Sequence, residues 1–147
     1  MRSSLLLLLL LASCRHYAAA PPDGFAAFEL KSGDDFRAVS PDGVVFRVRD
    51  EPNKPEADLP FWKEALKKRM IEAGYTFFAE SDIKAQSGEP GYLLELSAPL
   101  GPRDYSYLVA IFAKGSHIVI GEAAGEVVRV KERHDAIVTA LQKTTLR

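Results

Sequence analysis

Residues 105–113, Tyr-Ser-Tyr-Leu-Val-Ala-Ile-Phe-Ala, constrain the fold of this chain more than any other stretch. Successive side chains of a strand alternate, so Tyr107, Val109 and Ile111 fall on one face and Leu108, Ala110 and Phe112 on the other. A strand that is apolar on both faces is central and covered on both sides. Its neighbours can be read as well. Lys114-Gly115 makes a tight hairpin into a strand over 117–123, and a strand over 92–98 comes before it, joined by a loop over 99–103. Residues 75–86 alternate in part, with Phe78 out of phase, and read as a half-exposed strand ending at Ser87-Gly88-Glu89-Pro90-Gly91.

Upstream, residues 36–39 and 44–49 form two strands around Ser40-Pro41-Asp42-Gly43. Pro41 pre-sets φ and Gly43 can take positive φ, so this is turn chemistry. A three-residue loop, Pro41-Asp42-Gly43, pairs Ala38 with Phe46 and Phe36 with Val48. A four-residue loop would oppose Phe46 with Arg37 and mix the faces, so the three-residue loop is expected. Residues 25–30 are too short to assign. After a Pro52- and Pro55-containing loop, Asp58 caps a helix with Pro60 in its first turn. Trp62, Leu66, Met70 and Ala73 recur at helical spacing, with Trp62 expected to be mostly buried and to anchor this helix on the sheet together with Leu66 and Met70, and Gly74 ends it. A last helix over about 126–143 carries Val127, Val130, His134, Ile137 and Leu141 on one stripe. Short connections force antiparallel pairing. The expectation is an α+β fold: an antiparallel sheet of about six strands flanked by helices on both faces, an α/β/α sandwich.

The N terminus fixes location. Arg2 gives a charged start, residues 5–11 are all leucine, and Leu11-Ala12-Ser13 precedes Cys14, the single cysteine. This is the pattern of a bacterial lipoprotein signal with its lipobox, removed as residues 1–13 and leaving Cys14 to carry lipid. Residues 5–12 as a helix span only about 12 Å against a hydrocarbon core of roughly 30 Å, too short to cross a membrane. Residues 14–24 read as a lipidated tether, reaching roughly 30 Å when extended, and residues 25–147 as a single domain. Arg15, not aspartate, follows the cysteine, which favours outer over inner membrane by the sorting rule of enteric bacteria. The processed chain has a formal net charge of −2, because residues 1–13 contain Arg2 and no acid. Such a balance does not favour nucleic acid or a bulk anionic surface as partner. With its one thiol assigned to lipid, the chain can form no internal disulfide or thiolate metal site.

The order of elements resembles the PsbP/DcrB superfamily. The residues that carry the likeness are Ser40-Pro41-Asp42-Gly43-Val44, the Trp62…Ala65-Leu66…Gly74-Tyr75 junction, and the run from Tyr107 to Gly125 before the last helix. It covers roughly residues 35–145. The resemblance implies a PsbP-like sheet between helices and a protein that binds or assembles rather than catalyses. Superfamily members include photosynthetic extrinsic subunits, a Ran-binding factor and bacterial envelope lipoproteins. No metal site of the photosynthetic members maps onto the histidines here.

No catalytic constellation emerges from the residues themselves. His16, His117 and His134 show no metal-ligand spacing, so neither metal nor cofactor is expected, and His134 reads as a satisfied inward-facing residue. Glu95 and Glu122 read as structural hydrogen-bonding groups, and Ser97, Ser106 and Ser116 lack a nucleophile elbow. One surface stands out. The hairpin register puts Arg37 opposite Arg47 on the outer face, with Arg49 further along it. Like charges placed opposite are unfavourable unless carboxylates or an acidic partner offset them. Arg37, Arg47 and Arg49 are therefore the candidate partner-binding residues. The expected protein is a membrane-anchored, periplasm-facing, non-catalytic module with an envelope protein partner. The alternative is a small-ligand receptor or hydrolase using a pocket among Trp62, Tyr105, Tyr107 and Glu122.

Overall fold

The turn at Ser40 sets the register of the sheet. In the computed structural model, which describes residues 15–28 and 35–147, Ser40 N–H donates to Val44 O at 2.9 Å and Gly43 N–H to Ser40 O at 3.0 Å. Gly43 has φ of 89°, available to glycine without a Cβ clash. Strands β3 (Phe36–Val39) and β4 (Val45–Pro52) follow as the three-residue loop demands, with Ala38 opposite Phe46 and Arg37 opposite Arg47.

Seven strands make one antiparallel sheet in the order β2-β3-β4-β8-β7-β6-β5. The others are β2 (Ala26–Phe28), β5 (Thr76–Lys84), β6 (Pro90–Leu100), β7 (Arg103–Lys114) and β8 (His117–Glu126). The double-faced run lies within β7, where Leu108–Phe112 are all buried. Three details depart from expectation. The strand count rises by one, because the short β2 pairs along β3 at the edge. The loop over 99–103 is instead a tight hairpin, with Leu100 opposite Arg103. Phe78 is out of phase because the ladder shifts register between Phe77 and Ala79, leaving its ring 74 % exposed.

Helix α1 (Leu59–Glu72) begins where Asp58 Oδ1 accepts from Phe61 N–H at 3.1 Å and packs over β6 and β7. The second helix is broken rather than continuous. α2 (Val127–Glu132) and α3 (His134–Gln142) meet at Arg133, whose backbone leaves the helical region at φ −109°, ψ 5°. There Arg133 Nε donates to both Asp42 carboxylate oxygens, at 2.9 and 3.2 Å. This pair holds the helix break against the Ser40–Gly43 turn, and it keeps the Asp42 carboxyl down at about 2, with the Arg133 hydrogen bond the main cause.

The two faces are covered unequally. On one, Val130, Ile137 and Leu141 pack with Phe46, Leu108, Phe112 and Ala123. Here glycine permits close approach: a Cβ on Gly121 would lie 2.3 Å from Leu141 Cδ2, and one on Gly91 2.4 Å from the Phe112 ring. On the other face, Leu59, Trp62, Leu66 and Met70 of α1 pack on Tyr92, Leu94, Val109 and Ile111, yet no α1 residue is fully buried. Trp62 is half-buried, its Nε1–H donating to Asn53 Oδ1 at 2.7 Å.

The stretch read as a tether is part of the fold from residue 15 onward. Strand β1 (Tyr17–Ala18) pairs antiparallel with β9 (Thr145–Leu146), and Arg147 N–H donates to His16 O at 2.8 Å. Tyr17 is 2 % exposed; its hydroxyl donates to Val48 O at 2.6 Å and accepts from Phe36 N–H at 2.9 Å. Pro22 and Phe25 are buried as well. An apolar aromatic in a polar stretch outweighs the local composition, because burying Tyr17 contributes more than freeing a few small residues. Cys14 and residues 1–13 lie outside the described residues.

Candidate functional site

Alternation along β4, β7 and β8 places Arg47, Arg49, Tyr107 and Glu122 on the face that α1 covers only in part. Arg47 is opposite Glu122 and Glu122 opposite Val109, so the carboxylate stands between the two arginine-bearing and apolar strands. Tyr107 donates its hydroxyl proton to Glu122 Oε1 at 2.6 Å. Glu122 Oε2 accepts from Arg49 Nε at 3.4 Å and faces Arg47 Nη1 at 3.7 Å. Burial, reinforced by the Glu122 charge, pushes the Tyr107 hydroxyl far above its ordinary range, so it stays a donor.

Between this cluster and α1 runs a groove of about 530 Å³. Val109, Ile111, Ile118 and Ile120 form its floor, Trp62, Leu66 and Met70 one wall, and Arg49, Glu51 and Arg69 its polar margin. A second depression of about 240 Å³, bordered by Phe28, Arg37, Val45 and Arg47, shares Tyr107 and Glu122 with the first. The two meet at the hydrogen-bonded pair. An apolar trough with a few fixed polar groups suits an amphiphilic small molecule or a peptide carrying both kinds of side chain.

The expected pocket residues Trp62, Tyr107 and Glu122 do come together here, whereas Tyr105 is not among its lining. Arg37, Arg47 and Arg49 share this face, but carboxylates balance them. Asp35 Oδ2 accepts from Arg47 Nη2 at 2.6 Å and from Arg37 Nη2 at 3.1 Å, and Arg49 pairs with Glu51 as well as Glu122. Three arginines against Asp35, Glu51 and Glu122 leave a strip of alternating sign rather than the uniform positive surface its spacing suggests. Asp35 and Glu51 stand two residues from Arg37 and Arg49, whereas Glu122 escapes a local reading because it is 75 residues beyond Arg47.

The opposite face carries a second cavity of about 530 Å³, lined by Phe78, Leu96, Leu108, Val127, Val130 and His134. His134 is half-buried, as expected of an inward residue with a partner, and its Nε2 lies 3.1 Å from Glu95 Oε1. Burial, the strongest single influence, lowers the His134 pKa, but hydrogen bonds and charge from Glu95 and Asp135 together raise it above the ordinary value. The other two histidines show no metal-ligand spacing in the sequence, yet the fold brings them together. His16 and His117 stack with ring centroids 3.4 Å apart, and both face Asp50: its Oδ2 is 2.7 Å from His16 Nδ1 and 3.7 Å from His117 Nδ1. The three are far apart in sequence and meet only because β1 docks beside the β4–β8 pair.

No family model matches the chain, and no curated protein matches it in sequence. Solved structures do match. The chain is similar to LpqN of Mycobacterium tuberculosis, involved in cell envelope biogenesis, with a TM-score of 0.69 at 12 % identity, covering 88 % of this chain and 82 % of that one. It is similar to the cyanobacterial PsbP (CyanoP) of Synechocystis, with a TM-score of 0.62 at 11 % identity, covering 90 % and 87 %. A Pseudomonas aeruginosa protein of unknown function aligns with a TM-score of 0.64 at 13 % identity, covering 84 % and 97 %. Seven antiparallel strands between α1 and the α2–α3 pair, matched over nearly the whole of CyanoP, make this a PsbP-like fold.

Proposed function

We propose that this protein is a lipoprotein of the bacterial envelope, anchored through Cys14 with its domain facing the periplasm, and that it works as a non-catalytic binding or assembly module through the groove beside α1. The observation that carries the reading is the groove itself: an apolar trough left open by a half-covering helix, with a hydrogen-bonded Tyr107–Glu122–Arg49 cluster at its end. These polar groups are bonded to one another and Tyr107 stays protonated, an arrangement suited to recognition rather than proton transfer. The lipobox sequence supports the anchor, and Arg15 after the cysteine supports the outer membrane. The likeness to LpqN, an envelope-biogenesis protein, supports the compartment.

Arg37, Arg47 and Arg49 form the partner-facing margin in this proposal, with the partner's carboxylates replacing Asp35 or Glu122 as counter-ions. The groove volume also favours a second reading, a receptor for a small amphiphile. One experiment separates the possibilities. The lipidated protein is affinity-purified from its own envelope, and what accompanies it is identified by mass spectrometry, for wild type and for the groove-filling Ala65→Trp. Loss of one envelope protein in Ala65→Trp supports the assembly module, and loss of one small molecule supports the receptor. A folded Ala65→Trp that keeps every companion rules the groove out. Arg37→Glu/Arg47→Glu, with the fold checked by circular dichroism, tests the margin in the same assay.

A further inference from the structure

We propose that His16, Asp50 and His117 form a binding site for a divalent transition-metal ion of the zinc class, which staples the N-terminal segment to the sheet. Two imidazoles and one carboxylate, with a water in the fourth position, are a donor set that zinc accepts and that magnesium and calcium, which prefer oxygen ligands, do not. The geometry is close to what such an ion needs. The three donor atoms lie within 4.8 Å of one another, and two ligands of a tetrahedral zinc at bonds of about 2.1 Å stand roughly 3.4 Å apart. The two rings are stacked and inclined by only 20°, so loading the ion requires them to unstack until both ring planes pass through it.

Two further observations point to a ligand here. Among the described residues, the buried His117 Nδ1 has no hydrogen-bond partner, although it is aimed at Asp50 from 3.7 Å. A buried ring nitrogen left unbonded costs free energy that a coordinated ion would recover. The site is also open enough to load, since the His16 and His117 side chains are 39 % and 29 % exposed. Its donors come from separate parts of the fold. Asp50 and His117 are fixed diagonally across β4 and β8, where Asp50 is opposite Val119 and Pro52 opposite His117. His16 is supplied by the segment leading into β1. An ion bound to all three holds that segment down as Tyr17 does from the next position, and this assignment is independent of what the α1 groove binds.

The test uses the full chain on a histidine-free tag, stripped with a chelator and titrated with Zn²⁺ alone by calorimetry. One equivalent is expected, together with slowed hydrogen exchange at Tyr17 and Ala18. His16→Gln should weaken binding more than about tenfold, since loss of even an outer-shell partner typically costs 10–100-fold. His16 lies outside the seven-stranded sheet, so this variant keeps the fold even if His117→Ala does not, and an unchanged circular dichroism spectrum confirms it. His134→Ala should bind as wild type. The site is overturned by failure to bind Zn²⁺, by equal binding of Mg²⁺, by unweakened affinity in His16→Gln, or by loss of binding in His134→Ala.

Discussion

The two faces of this sheet solve the same covering problem in opposite ways. On the α2–α3 face, Gly121 and Gly91 give up their side chains so that Leu141 and Phe112 can sit directly on the strands, and Ile137 and Leu141 are fully buried. On the α1 face a longer helix buries none of its residues completely and leaves β4 and β8 in reach of solvent. Close packing stabilises but excludes ligands, because a filled interior has no room for them. Both faces keep a cavity of about 530 Å³, but only the one beside α1 is bordered by a bonded polar cluster, Tyr107–Glu122–Arg49, whereas the one beside α2 is lined mainly by apolar side chains. Tight helix packing and a polar-bordered groove are thus divided between the two sides of one sheet.

Truncations should expose that division. Leu141→Ala removes a fully buried side chain wedged against Gly121 and should cost about 2–5 kcal/mol in urea unfolding. Leu66→Ala, half-buried on α1, should cost less than about half of that, because less apolar surface returns to water. Equal losses would mean that α1 is as firmly packed as α3 and that the groove is a minor irregularity.

A subtler difference is titratable. His134 at the rim of the closed face has a raised pKa, so its pairing with Glu95 stabilises the fold fully below the unfolded value of 6.5 and fades as pH rises through the raised value. The urea midpoint of wild type over His134→Gln should therefore show a larger advantage at pH 6 than at pH 8.5. An advantage that does not change with pH would leave His134 as packing alone. The smallest effect belongs to the outer surface of α1. Lys68 and Glu72 approach to 3.8 Å while 76 % and 64 % exposed, and Lys68→Ala should leave the melting temperature unchanged.

What the sequence reveals here depends on range. The Ser40–Gly43 turn, the Asp58 cap and the apolar alternation of β7 act over a few residues, so the register Ala38–Phe46, the start of α1 and the double-covered centre can all be derived before any coordinates. The helix break cannot be. Nothing within a turn of Arg133 signals it, and the group Arg133 binds, Asp42, is 91 residues away. The candidate sites follow the same rule. Arg37 and Arg47 are visibly opposed because a short hairpin joins them, and Asp35 belongs to the same hairpin, whereas Glu122 as a counter-ion, and Asp50 as the meeting point of His16 and His117, depend on strands paired across the whole chain. Tyr17 was hidden for a related reason: a single aromatic in a stretch of small residues has no periodicity to announce it.

The β1–β9 pairing has a mechanical consequence. Tyr17 is opposite Leu146 and Ala18 opposite Thr145, so both ends of the described chain leave from the same end of a two-pair ribbon. A load drawing those ends apart acts on the ribbon one pair at a time, beginning at Tyr17–Leu146, both of them buried. A load on the N-terminal side alone, applied against the body of the domain, first frees His16 from Asp50 and from Arg147 N–H, and must then pull the Tyr17 ring out of the interior and break its hydroxyl from Val48 O before the sheet is reached. Against such a pull, that buried tyrosine is the bolt.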